Sequence, residues 1–353
     1  MPLLTTTGHS AESDRIADMD NAGTSMTEVF QKIQGLAHRV VQPSGKLILN
    51  LLDAPVIVLI YHRVTALPSD PQMLAVSPDN FRAQMQHLKK HFPIVRFEED
   101  WTGLKKPAVA VTFDDGYADN ALEALPILEE LEVPATFFVS TGAIGTAREY
   151  WWHELERTIL GGGRLPDQFT LEQDNHKRSW ATRSEAERGE FYREMALLMT
   201  DAAPNDRDDL LSLIRDWAKV AAAATGSHRS MTLDELRLLA GSPVATIGAH
   251  TVTHNRLASM AAPEQREEIT ASKRQLESWL GREVTVFSYP FGRQCDYTRE
   301  TVALCREAGF AKAASNFPGQ AHRWTDAFQI PRHLVRDWPV DTFAQKLKRF
   351  WRS

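Results

Sequence analysis

Short apolar runs alternate along this chain with longer stretches in which apolar side chains recur every three or four positions. The runs at 56–60, 108–113, 134–139, 244–248, 284–287, 310–314 and 329–334 predict buried strands, most of them giving way to a polar or glycine-bearing turn. Helical patterns fill the spaces between. Ser77 and Pro78 open one whose buried stripe is Phe81, Met85 and Leu88. A second lies around 122–131, with Pro126 near the start of a fresh turn, and Thr232 with Glu235 forms a capping box that opens a third, running to Leu239. Pro263 starts a long helix with Ile269, Leu276 and Leu280 on one face, stopped by Gly281. A further helix at 301–308 ends at Gly309, and Asp341 is expected to cap a last one carrying Phe343, Leu347 and Phe350. Alternating strands and helices predict an α/β fold with a mainly parallel sheet, either a barrel or an open doubly wound sheet. No glycine-rich phosphate loop follows a strand, which weakens the nucleotide-binding version of the open sheet.

Two regions break this rhythm. From 145 to 230 the β-branched runs of strands are absent, so a helical insertion is expected between two barrel strands, near the mouth, where it would serve as a lid or substrate wall. It opens on Tyr150, Trp151 and Trp152, which suit helix packing more readily than sugar stacking. At the other end, 1–25 is polar and acidic and reads as a disordered leader without a secretory signal, and Met26 is an alternative start. An N-terminal helical segment follows at 26–55, with Phe30, Ile33, Ala37 and Val40 on one face. It is expected to pack on the domain at 56–353; peripheral membrane association is the alternative, poorly supported by Pro43 and Gly45. No run is long and clean enough to span a bilayer.

Composition narrows the class. Of 353 residues, 43% are hydrophobic and 24% charged, ordinary globular usage, and a net charge of −6 gives no electrostatic case for nucleic acid. Cys295 and Cys305 are too few for a disulfide framework, so a reduced, cytoplasmic setting is the simpler reading.

The chemistry gathers at two strand ends. In AVAVTFDDGYADN, Asp114 and Asp115 close the 108–113 strand, and Gly116 permits the turn that separates two neighbouring carboxylates. In VATIGAHTVTH, His250 and His254 are four apart after the 244–248 strand, a spacing that sets two imidazoles on one side of a turn. Either stretch alone also suits an ordinary turn or a solvated loop. Together Asp115, His250 and His254 make a three-ligand site with open positions for water or substrate, leaving Asp114 as a base. Such a donor set accepts zinc, the leading candidate, or cobalt, nickel, iron or manganese.

TFDDG at 112–116, HTVTH at 250–254 and SYPFG at 288–292 resemble the polysaccharide deacetylase family, carbohydrate esterase family 4, and the likeness runs from about 56 to about 335 apart from the insertion. The resemblance implies a distorted (β/α) barrel of about seven strands. It also implies that the ion at Asp115, His250 and His254 activates water and polarises an N-acyl carbonyl while Asp114 takes the proton. The matching family position assigns oxyanion stabilisation to a backbone N–H near Phe291, with Tyr289 beside it in the substrate region. A late family histidine matches His333 as the acid for the leaving amine, and His62 is a second contender from its own strand tip. Many members carry an arginine where this chain has Ser288, and Arg332 has the reach to replace it against Asp114. The function expected is hydrolysis of an N-acyl group, acetyl first, from an amino sugar in a saccharide or polysaccharide precursor. The alternatives are a deformylase or amidase acting on another C–N bond, or an inactive carbohydrate-binding relative.

Overall fold

The structure, a computed structural model, describes residues 50, 53–146, 149–173, 176–220 and 226–352. The leader expected at 1–25 and most of the helical segment expected at 26–55 lie outside these residues. No helix among the described residues is long and apolar enough to cross a membrane.

In chain order, β1 (Val56–Tyr61) is followed by the short pair β2 (Arg63–Val64) and β3 (Ala75–Val76), the helix Pro78–His91, β4 (Ala108–Phe113), the helix Leu125–Leu131 and β5 (Ala135–Val139). After the insertion, which contains β6 (Gln168–Gln173) and β7 (His176–Ala181), come the helix Leu233–Gly241, β8 (Ala245–Ala249) and the helix Ala262–Leu280. β9 (Val286–Ser288), the helix Arg299–Glu307, β10 (Lys312–Ala314), β11 (His333–Leu334) and the helix Val340–Phe350 complete the chain. Seven strands form one parallel sheet in the order β10-β9-β8-β5-β4-β1-β11. The sheet curls into an incomplete (β/α) barrel. Its two end strands are joined through the segment 315–332, where Ser315 N–H donates to the Ile330 carbonyl (2.9 Å) and Ile330 N–H to the Ala313 carbonyl (3.0 Å).

Period-two alternation divides each central strand between two cores. Ile57, Leu59 and Tyr61 of β1 and Val109, Val111 and Phe113 of β4 face outward onto helix residues such as Phe81, Met85, Leu88 and Leu128. Full burial of each such side chain stabilises the fold by roughly 1.5–3 kcal/mol. The opposite face, Val56, Val58, Ala108 and Ala110, points into the barrel with Phe97, Phe138 and Ala314. Several of these are small, as a narrow barrel interior requires.

The insertion differs from expectation. An antiparallel hairpin, β6 with β7, lies between helices Trp151–Leu160 and Glu185–Asp201, and helix Pro204–Ala218 follows directly. Phe169 and Trp180 are register partners and pack with Phe191, Met195 and Ile214 into a separate small core. Most of β7 is solvent-exposed and polar, so its sequence carries little strand signal; the tertiary anchors at Phe169 and Trp180 decide it. Asp341 is also displaced from its expected role: Pro339 occupies the cap of the last helix, and Asp341 lies in its first turn, where its charge still complements the helix dipole. The Thr232 and Glu235 capping box forms as predicted.

Candidate active site

β4 ends at the barrel mouth. Its even-numbered residues face inward, so Asp114 continues that face, and its N–H still extends the ladder to the Tyr61 carbonyl (3.0 Å). Asp115 and Gly116 then adopt φ of 77° and 81°, the left-handed turn expected at this glycine but begun one residue earlier. Two other residues of the site, His254 (φ 56°) and Phe291 (φ 60°), share that strained region, as does Thr251 between the histidines (φ 65°). Each costs on the order of 1–3 kcal/mol and persists because its surroundings hold it.

His250 and His254 sit on an irregular loop, not a helical turn. The loop is fixed from behind: Ser140 Oγ donates to the His250 carbonyl (2.8 Å), Gly142 N–H donates to the Val252 carbonyl (2.8 Å), and the Glu268 carboxylate accepts the N–H groups of Val252 and Thr253 (2.9 Å each). Gly248 lets β8 approach its neighbour, since a Cβ there would stand 2.5 Å from the Phe138 ring. The outcome is that Asp115 Oδ1 lies 3.5 Å from His250 Nε2 and 3.2 Å from His254 Nε2.

These residues fit a divalent cation. One ligand atom from each of Asp115, His250 and His254 lies within 4.8 Å of the other two, and all three side chains are buried. Among the described residues Asp115 Oδ1 has no hydrogen-bond donor other than the two imidazoles it faces. The His250 Nδ1 lies 2.7 Å from the Ser288 carbonyl, so it carries the proton and leaves the Nε2 lone pair facing the carboxylate. Burial raises the Asp115 carboxyl, yet in the metal-free site the two imidazoles in their protonated form outweigh it and hold the group well below the usual carboxylate range.

Asp114 is held from the far edge of the sheet. Arg332, just ahead of β11 and almost fully buried, donates from Nη1 to Oδ1 and from Nη2 to Oδ2, both at 2.7 Å. Its Nη2 also reaches Ser288 Oγ (2.9 Å), which donates in turn to Asp114 Oδ2 (3.1 Å), while Nε donates to the Ser315 carbonyl (2.7 Å). Burial pushes the Asp114 carboxyl up, but the Arg332 guanidinium and His250 more than offset it, so the acid is ionised below its ordinary range.

A family profile described as polysaccharide deacetylase matches residues 102–175 and 190–313, more than half of the chain. This chain belongs to the polysaccharide deacetylase family. It is similar to YxkH of Bacillus subtilis (strain 168), with 22% identity over 286 residues covering 79% of this chain and 70% of that protein. Its fold is similar to BC0361, a polysaccharide deacetylase from Bacillus cereus (20% identity, TM-score 0.54, covering 84% of this chain and 69% of that one). It is likewise similar to the Streptococcus pyogenes deacetylase PplD in complex with acetate (18% identity, TM-score 0.52, 83% of this chain and 98% of that one).

In this member of the family a cavity of about 580 Å³ opens over Asp114, Asp115, His250 and His254, within the roughly 300–1,000 Å³ typical of ligand sites. His62 and Phe291 line it. Asn120 Nδ2, in a single π-turn, holds the His62 carbonyl (2.8 Å) and so fixes that strand tip. His333 and Tyr289 are not brought to the cavity. The His333 ring stacks on Phe350 at 4.0 Å on the outer side of the sheet, and Tyr289 stacks on Tyr297 at 4.1 Å with its hydroxyl donating to the Phe328 carbonyl. The Tyr289 N–H is also spent, on the Ala314 carbonyl (3.1 Å), which leaves Phe291 as the backbone donor at this turn. Sequence reasoning missed the buttress behind Asp115: Tyr150 Oη donates to its carbonyl (2.6 Å), and Trp152 stacks on Tyr150 at 4.5 Å and meets the His254 ring edge-on at 5.1 Å. Tyr150 therefore packs, as expected, whereas Trp152 both packs on it and lines the cavity, together with Trp151 and the insertion residues Tyr192, Arg193, Ala196, Leu197 and Thr200.

Proposed function

We propose that this chain is a metal-dependent hydrolase that removes an N-acyl group, acetyl first, from an amino sugar within a saccharide or polysaccharide precursor. The observation that carries the reading is one buried carboxylate facing two imidazoles beside a second carboxylate clamped by an arginine. One divalent ion, held by Asp115, His250 and His254, would supply Lewis acidity toward water and the acyl oxygen; the donor set suits zinc and also cobalt, nickel, iron or manganese.

The protein's own groups do the rest. Asp114, kept ionised and aimed by Arg332 and Ser288, takes a proton from the attacking water. The Phe291 N–H supports charge growing on the acyl oxygen. His62, the histidine that lines the cavity without being a ligand, gives a proton to the departing amine. A reducing compartment for this chemistry suits the two free cysteines, Cys295 and Cys305.

Acetate or formate release from N-acylated amino sugars and their oligomers, before and after chelation and metal restoration, tests the proposal. Asp114→Ala should retain bound metal and lose turnover, and His250→Ala should lose both. Metal retained at wild-type stoichiometry by His250→Ala would sink the ligand assignment.

A further inference from the structure

The cavity over the catalytic residues is lined by three arginines, Arg193, Arg293 and Arg336, in a chain whose net charge is −6. Among the described residues only one of them has a carboxylate partner. Arg293 is clamped by Asp296, with Nε to Oδ2 and Nη2 to Oδ1 at 2.9 Å each. Arg336 is half-buried, and its Nη1 is spent on the backbone carbonyls of Gln72 and Met73. The acid acting on it is Asp70, which accepts the N–H groups of Leu74 (3.0 Å) and Ala75 (2.8 Å) and forms no ion pair with it. Arg193 projects from the insertion helix Glu185–Asp201, and among the described residues it has no carboxylate partner either. The two aspartates in the cavity do not serve these cations: Asp114 is taken by Arg332, and Asp115 faces the imidazoles.

Half-buried Arg336 has lost hydration without gaining a counter-ion, an arrangement that a bound anion reverses, while exposed Arg193 keeps its solvent and offers unpaired donors at the cavity rim. Two such groups, one on the barrel and one on the insertion, border the same space as the reacting centre. Guanidinium forks match phosphate and carboxylate oxygens alike. Resting on the deacetylase reading above, we propose that the substrate carries an anionic group, phosphate or carboxylate, on or next to the N-acylated sugar, and that Arg193 and Arg336 select for it.

The test has a turnover arm and a binding arm. In the first, metal-loaded enzyme is offered neutral N-acetylglucosamine oligomers, the same oligomers bearing a phosphate ester, and oligomers bearing a uronate. The wild type should prefer one anionic set over the neutral set by at least tenfold in kcat/KM, mostly through KM, and which set wins identifies the anion. That preference should shrink by on the order of tenfold in each of Arg193→Gln and Arg336→Gln. Equal kcat/KM for all three sets overturns the proposal while leaving the deacetylase reading intact. In the second arm, metal-free protein is titrated with glucosamine 6-phosphate and with glucuronate, following tryptophan fluorescence from Trp151 and Trp152. Saturable binding weakened by both substitutions supports the proposal even where no turnover is found, and the absence of saturable binding by either ligand overturns it. Arg193 is exposed, so Arg193→Gln keeps both arms decisive where Arg336→Gln fails to fold.

Discussion

Replacing Arg332 by lysine separates charge from geometry at the proposed base. The guanidinium gives Asp114 two bonds of 2.7 Å and also holds the Ser315 carbonyl at 2.7 Å, with Ser315 fully buried. An ammonium keeps the charge but engages one carboxylate oxygen and cannot reach the Ser315 carbonyl at the same time. Losing one charge-assisted bond costs about 1.5–3 kcal/mol, and orphaning a buried carbonyl costs about 1–3 kcal/mol. The expected loss of stability is therefore about 3–5 kcal/mol, the size seen when a buried ion pair is broken, and it should lower the urea midpoint by on the order of 1–2 M. Turnover should fall by about 10²-fold, because a base displaced by an ångström no longer meets its water. The pH profile adds a second readout. Arg332 holds the Asp114 pKa down in the folded protein, so the stability this pair supplies is present above the unfolded value near ~4 and is lost as pH falls through the lower folded value. Loosening the clamp raises that folded value, so the acid limb of kcat should move to higher pH. Equilibrium unfolding and acetate release across pH measure all three effects. An Arg332→Lys enzyme with wild-type kcat and an unmoved acid limb would refute the view that the clamp orients the base.

His62→Gln should lower kcat by roughly 10²-fold or more, as loss of a proton donor does, whereas His333→Gln should leave kcat within a few-fold and register in thermal unfolding through its contact with Phe350. Equal kinetic losses in the two variants would reverse the assignment. Gly248→Ala should destabilise the barrel by about 1–3 kcal/mol and weaken metal retention, since the added methyl meets the Phe138 ring at 2.5 Å two residues before the proposed ligand His250; a neutral result in denaturant would contradict the packing. Burial lowers the His153 pKa to about 3, so the unfolded chain takes up a proton below about 6.5 that the folded chain refuses. Stability should thus decline as pH falls from about 6.5 toward that folded value, and His153→Gln should flatten the decline in urea titrations between pH 6.5 and 5.

The strand tips were legible because parallel strands buried on both faces leave uninterrupted apolar runs, and β4 is read from 108 to 113 without error. Placing both carboxylates and both histidines after such runs was enough to bring them together. What failed was parity. Alternate residues of a strand face opposite sides, so an inward Arg332 sends His333 outward to Phe350, and an inward Ser288 sends Tyr289 outward to Tyr297. Both pairs were adjacent in the sequence, and the alternation rule alone separates them. The Tyr150 bond to the Asp115 carbonyl and the Phe169 to Trp180 pairing lacked any local pattern, because each depends on packing that only the assembled insertion provides.

The clamp on Asp114 comes from a residue 218 positions further along the chain, in the approach to the last strand of the sheet. Synthesis runs from the N-terminus, so a growing polypeptide acquires the proposed ion ligands Asp115, His250 and His254 by residue 254 and the guanidinium that clamps the proposed base only at residue 332. A product stopped before residue 332 would lack the clamp altogether, and the carboxylate proposed as the base is held in place only once the approach to the last strand of the sheet has been translated.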